Sequence, residues 1–229
     1  MRILAIGDIH GCHRALAALL DAVAPQPDDL LVTLGDYVDR GPDSRGVLDH
    51  LIALHAQGQL LPLRGNHDLM MVEARQRHAP DGMWLACGGL QTLLSYGISA
   101  AEDPDLSAVP EEHWMFLEED CLDYYETDQH IFVHASLDPD LPLPDQPQYL
   151  LFWEKLCEPR PHVSGKTVIC GHTKQRSGQP LNLGHHICID TGAYAGGWLT
   201  CLDVASGRLW QANQHGEQRT GWLEDDELM

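Results

Sequence analysis

Positive charge is what this sequence has least of: 14 lysines and arginines stand against 34 aspartates and glutamates, a formal net charge of -20 over 229 residues. Such an acidic balance opposes general attraction to nucleic acid and to anionic membranes, so neither is expected as a partner. Any anionic substrate must be drawn in by a few local cations. Paired cysteines are also missing. Seven of them, at 12, 87, 121, 157, 170, 188 and 201, form no C-x-x-C pair, and an odd, scattered count fits reduced cytoplasmic thiols rather than a disulfide framework. No apolar run reaches membrane-spanning length, and the run that opens "MRILAIGDIHG" is too short for a secretory signal. Long linkers, low-complexity blocks and tandem repeats are absent, and the length favours a single domain, 1–229.

What the chain does have is a local grammar. Short apolar runs, "RILAI", "LLVTL", "QLLPL", "HIFV", "KTVIC" and "HICI", each stop at a polar cluster: "GDIHG", "GDYVDRG", "RGNHD", "HAS", "GHT" and "DTGAY". The first three runs alternate with "HRALAALLDAV" and "DSRGVLDHLIALHAQ", whose apolar residues recur at three-to-four spacing, so a parallel α/β core is expected there. From "DYYET" onward the connections shorten, and "HHICID", "WLTCLDV" and "RLWQA" favour antiparallel pairing. Residues 83–119 read as a helical, cap-like segment beside the site, and 222–229 as a solvated acidic tail. In open α/β sheets the loops beyond the carboxyl ends of strands collect ligand-binding groups, which would bring the polar clusters together.

Taken together, the clusters read as metal chemistry. Asp8 and His10 lie two apart and project to one side of an extended segment, able to grip one ion. Asp36, Asn66, His134 and His172 follow four further runs. A carboxylate, amide and imidazole set without thiolate suits manganese, iron, zinc or magnesium. Six ligands exceed what one open ion needs and suit two ions that share Asp36, with a water or hydroxide between them. His185 and His186 compete with His172, although they precede an apolar run instead of following one. For the motif residues the plainer alternative is turn formation and helix capping. For His134 it is a backbone-bonded core histidine, and for the arginines a structural ion pair. His13, His50, His55, His78, His113, His130, His162 and His215 read as surface or packing residues. Cys170 and Cys188 read as buried strand positions.

These motifs, with "GDIHG", "GDYVDRG" and "RGNHD" about thirty residues apart and "HA" and "GHT" after them, resemble the metallophosphoesterase signature of the phosphoprotein phosphatase family, bacteriophage lambda and bacterial type. The likeness runs from Arg2 to about Val204. It implies an α/β fold, a β-sandwich of two mixed sheets flanked by helices, with the site at the carboxyl ends of the strands. It implies one metal held by Asp8, His10 and Asp36, a second by Asp36, Asn66, His134 and His172, and in-line attack on phosphorus by a bridging hydroxide. His67 would protonate the leaving oxygen, Asp39 would orient His67, Arg40 and Arg64 would bind phosphate oxygens, and Tyr194 would line the rim. The implied cofactor is a pair of divalent ions, manganese first, iron or zinc accepting the same donors. The implied substrate is a phosphorylated protein or a small phosphate ester.

Three departures qualify the likeness. "GNHD" stands where the protein phosphatases usually read Gly-Asn-His-Glu, a form shared with the diadenosine tetraphosphate hydrolase branch, which is the enzymatic alternative. Lys155 occupies the place of a third family arginine, a point charge instead of a planar fork. "HAS" follows the fourth run, and its serine has no reading. A metal-binding interaction protein on the same scaffold is the non-enzyme alternative, disfavoured because a binding module has no use for a general acid.

Overall fold

The computed structural model describes residues 1–77, 82–99 and 104–224. His78 and the end of the expected acidic tail, 225–229, lie outside the described residues. Strand β1 (Ile3–Ile6) is followed by helix α1 (His13–Val23), β2 (Leu30–Thr33), α2 (Ser44–Ala56), β3 (Leu60–Pro62) and α3 (Asn66–Gln76). β1 pairs with β2, and β2 with β3, in parallel. Helix α1 buries Ala15, Leu16, Leu19, Leu20 and Val23, one stripe along its length. Helix α2 is started by Asp43, whose side chain accepts from Gly46 N at 2.9 Å.

The middle segment is a string of short helical turns, among them α4 (Gly82–Trp84), α5 (Leu90–Ser95) and α6 (Glu111–Met115). The chain then builds a second sheet from β4 (Tyr124–Glu126), β5 (His130–Val133), β6 (Thr167–Cys170), β7 (Leu181–Asn182) and β8 (His186–Cys188), with α7 (Gln148–Trp153) between β5 and β6. Strands β9 (Leu199–Asp203), β10 (Arg208–Ala212) and β11 (Gln218–Trp222) return to the first sheet, whose order is β11-β10-β9-β1-β2-β3; the second runs β4-β5-β6-β8-β7.

Antiparallel pairing holds for β9, β10 and β11 but not for the centre of the second sheet, where β5, β6 and β8 are parallel. The stretch from Gly171 to His185 is long enough for a crossover, which frees β8 to lie beside β6. "WLTCLDV", expected beside "HHICID", instead pairs antiparallel with β1 in the other sheet. Both sheets are therefore mixed, and each holds a parallel triplet.

The strands read as continuous apolar runs because both faces are covered. Ala5, Val32 and Leu202 meet Phe132, Ile169 and Ile187 between the sheets. Leu4, Ile6 and Leu31 pack outward with Leu16, Leu19 and Leu48 of the helices. On the far face Ile131, Val133, Val168, Cys170 and Cys188 pack with Leu151 and Phe152 of α7. Full burial of such a side chain contributes roughly 1.5–3 kcal/mol. The two parallel triplets are thereby clamped with their carboxyl ends toward one mouth.

Candidate active site and metal centre

Every candidate ligand sits just beyond one of those six carboxyl ends: Asp8 and His10 after β1, Asp36 after β2, Asn66 after β3, His134 after β5 and His172 after β6. To turn side chains into the mouth, the backbone leaves the extended region abruptly. His10, Asp36, Asp39, Arg40 and His172 all have positive φ, between 47° and 72°, a conformation that non-glycine residues adopt at a cost and that clusters at functional sites. Neighbouring loops hold them there. Asp36 O accepts from Ile9 N and His10 N, and Gly11 N donates to Tyr37 O. Asp68 accepts from the backbone N–H of Gly65, Asp36 and Tyr37 at 2.8–2.9 Å. The carboxylate that distinguishes "GNHD" thus points into the loop backbone and shapes Asp36.

The imidazoles are aimed by carbonyls. His10 Nδ1 lies 2.9 Å from Val38 O, His134 Nδ1 2.7 Å from Leu34 O, and His172 Nε2 3.2 Å from Trp153 O. Each of those nitrogens carries the proton and donates it, which leaves the other nitrogen as a lone pair facing the mouth, the arrangement that supports metal-ligating histidines. Burial lowers the pKa of all three, to about 3 for His10 and about 4 for His172, so they are neutral and ready to ligate. His10 Nε2 is 3.2 Å from Asp36 Oδ2, and His134 Nε2 is 3.5 Å from Asp36 Oδ1. Asn66 Oδ1 stands 3.0 Å from His134 Nε2 and 3.1 Å from His172 Nδ1. Lone pairs face lone pairs there, which is repulsive unless a cation lies among them.

Carboxylates converge in the same way. Burial, with Asp190 and Asp36 close by, pushes Asp8 well above the usual carboxylate range, and burial lifts Asp190 to about 6. Asp8 accepts from His172 N at 3.0 and 3.1 Å, which ties the first motif to the last. Two triads, His10–Asp36–His67 and Asp36–His134–His172, offer ligand atoms within 4.8 Å of one another and could hold metal ions, Asp36 belonging to both. The donor set fits a pair of divalent cations.

His67 falls within the first triad by position, but both its ring nitrogens are engaged, Nδ1 by Asp39 and Nε2 by Arg40. Its backbone N–H, at the N-terminus of α3, donates to Asp36 Oδ1 at 3.0 Å, and its Nδ1 lies 2.7 Å from Asp39 Oδ2. Burial works against a charge on the ring, yet Asp36 and the hydrogen-bonded Asp39 raise its pKa above the ordinary imidazole value. Asp39 is fully buried; burial pushes its carboxyl up, against the pull of His67. It also accepts from Trp84 Nε1 at 3.0 Å and from Thr92 Oγ1 at 2.8 Å. Both come from the helical middle segment, which also supplies Gly88 O to Arg40 N. Gly88 has φ of 121°, and a Cβ there would stand 2.6 Å from Arg40 N, so glycine permits the approach.

The two arginines part company. Arg40 donates from Nη1 to His10 Nε2 and from Nη2 to His67 Nε2, each at 2.8 Å, and lies 4.5 Å from the centroid of Tyr194. Tyr194 in turn stands edge-on to His10 at 4.9 Å. Arg64, expected on phosphate, is not brought to the cluster. Its guanidinium donates to the carbonyls of Leu117, Glu118 and Cys121 and pairs with Asp123 at 2.9 Å, so its donors pin the end of the middle segment to β3. Lys155 is exposed and lines a cavity with His186. His185 and His186 lie at the opening of β8, at the far end from the ligands, and do not join them.

Sequence reasoning passed over Asp68, Trp84, Thr92 and Asp190. Asp190 had a signal, since it follows "HICI" as Asp8 follows "RILAI". Trp84 and Thr92 had none, because 45 and 53 residues separate them from Asp39.

The model of the calcineurin-like phosphoesterases matches residues 1–186. The chain is 34% identical to serine/threonine-protein phosphatase 1 of Salmonella typhimurium over 87% of its own length and 90% of that protein's. It is 44% identical to the symmetrical bis(5'-nucleosyl)-tetraphosphatase of an Acidovorax species, over 32% of this chain and 26% of that one. Among solved structures, a protein serine/threonine phosphatase from Saccharomyces cerevisiae superposes with a TM-score of 0.63 at 15% identity, covering all of this chain and 81% of the other. That last likeness concerns the fold alone. On the sequence match and the relative that covers most of it, the chain belongs to the calcineurin-like phosphoesterase family.

Proposed function

We propose that this phosphoesterase is a metal-dependent phosphatase of phosphoserine and phosphothreonine in proteins, with phosphotyrosine and small aryl phosphates also within its reach. The observation that carries the reading is the buried pair of His67 and Asp39, 2.7 Å apart, whose carboxylate belongs to neither metal-holding triad and, among the imidazoles of the site, serves His67 alone. A scaffold that only bound metal would need no such pair. The similarity to the Salmonella phosphatase over 87% of the chain supports the substrate class.

Asp8, His10 and Asp36 would hold one cation, and Asp36, Asn66, His134 and His172 the other. Manganese is the proposed metal, and the seven free thiols suit a reducing cytoplasm. When bound, two divalent cations lower the pKa of water and neutralise charge on a phosphoryl group. The rest of the chemistry belongs to the chain. Arg40 transfers its fork from the two ring nitrogens to phosphoryl oxygens, a bidentate match for its planar geometry. His67 Nε2, released from Arg40, takes up a proton from solvent, as its raised pKa favours, and gives it to the leaving oxygen, while Nδ1–H stays on Asp39 and fixes the ring. Tyr194 stacks beneath the guanidinium and steadies it.

A second reading, hydrolysis of diadenosine polyphosphates, is favoured by "GNHD" and by the Acidovorax relative. Assaying a phosphopeptide and diadenosine tetraphosphate side by side with added manganese separates the two. Faster turnover of the peptide is expected, and inertness toward both overturns the phosphatase reading.

A further inference from the structure

Of the expected cations of the site, Arg40 hydrogen-bonds the cluster's imidazoles, while Arg64 is engaged by carbonyls and Asp123. Another basic patch lies nearby. The loop after β6 and the turn after β8 enclose a concavity of about 150 Å³ lined by Lys174, Arg176, Thr191, Gly192, Ala195 and Gly197. Lys174 Nζ is 5.2 Å from the centroid of the Tyr194 ring, the same ring that Arg40 overlies at 4.5 Å. Arg40 and Lys174 therefore share one aromatic ring, which places the concavity's lysine next to the cluster.

The patch is built. Gln175 N donates to Asp190 O at 2.8 Å and ties the two loops together. Gly192, with φ of 74°, leaves the space that the Lys174 stem fills, since a Cβ there would come within 2.8 Å of Lys174 Cδ. Asp190, which precedes the Thr191–Gly192 wall, is buried and accepts from Gly192 N at 3.0 Å. Lys174 makes no hydrogen bond or ion pair with the described residues. In a chain with 34 acidic residues, two exposed cations beside the site, neither of them in a salt bridge among the described residues, are a local attraction for anions.

The geometry points to a second anion subsite, in which Lys174 and Arg176 hold a further anionic group of the substrate while Arg40 holds the phosphoryl group that reacts. This rests on the phosphatase reading and extends it to specificity. Substrates with a second phosphate in the chain, or with an acidic residue beside the phosphorylated one, would use it. Simple aryl phosphates would not.

The test compares the full-length manganese-loaded protein with its Lys174→Met, Arg176→Met and double variants on four substrates: an aryl phosphate, diadenosine tetraphosphate, and phosphoserine peptides with acidic or with alanine flanks. For the double variant KM is expected to rise about tenfold on the polyphosphate or on the acidic peptide, with kcat held and Lys174→Arg restoring most of the loss. Which of the two substrates responds identifies the source of the anion. An equal rise on the aryl phosphate and alanine-flanked peptide, or no rise on any substrate, overturns the subsite. Wild-type protein that turns over none of the four sinks the phosphatase reading instead.

Discussion

The two sheets deliver side chains to one mouth by different means. On the first sheet, three motifs within the first 68 residues interlock by backbone: Asp36 O takes two N–H groups from the β1 loop, and Asp68 takes three across the β2 and β3 loops. Each motif there carries several functional groups. On the second sheet the contributions are single residues, His134 and His172, and each is oriented by a carbonyl from elsewhere, Leu34 from the first sheet and Trp153 from α7. The first half is a preassembled block; the second is a set of separate props leaning on it. Asp36 belongs to both, through His10 and His134.

That contrast can be broken most severely at Asp36. Asp36→Asn is expected to lower affinity at both metal sites by about a hundredfold or more, at or beyond the upper end of what losing a supporting partner costs, with metal analysis showing loss of both ions and activity falling further than in any other variant. If one ion stays fully bound, the two halves are independent. Replacing His67 by Asn should cost about 10²- to 10⁴-fold in kcat while metal content stays at the wild-type level. Retained turnover would remove the proton-donor role.

Trp84→Phe tests the middle segment, since it deletes one donor to Asp39 and leaves Thr92 and His67 in place. A fall of about 10-fold in kcat with KM unchanged is expected, the range of a lost supporting hydrogen bond. The smallest effect on chemistry is predicted for Arg64→Met. It should destabilise the fold by about 2–3 kcal/mol in denaturant titration, because buried carbonyls and Asp123 lose charged donors, yet leave KM for aryl phosphate near wild type. Arg40→Met should do the reverse, raising KM with little change in stability.

The first-sheet block was legible because its chemistry is local. "GDIHG", "GDYVDRG" and "RGNHD" each place several functional residues within seven positions, and their strands follow from apolar runs broken by helices. Arg64 was misread because the sequence cannot distinguish an arginine that faces the mouth from one that faces away. In the structure the carbonyls of 117, 118 and 121 claim it. The parallel placement of β8 was missed for a similar reason: short connections suggested hairpins, while the crossover was hidden in an irregular stretch with little periodicity.

Residue order alone determined the kind of chemistry available, an oxygen and nitrogen donor set with arginines in the same motifs, because donor type and motif spacing are written in the chain. Only the tertiary structure decided which donors face one another, that Asp39 is enclosed by Trp84 and Thr92, and that Arg40 and Lys174 flank Tyr194 while Arg64 turns away. The physical reason is that orientation is set by what each side chain finds to bond with, and those partners lie tens of residues away, in loops that meet only when both sheets have packed.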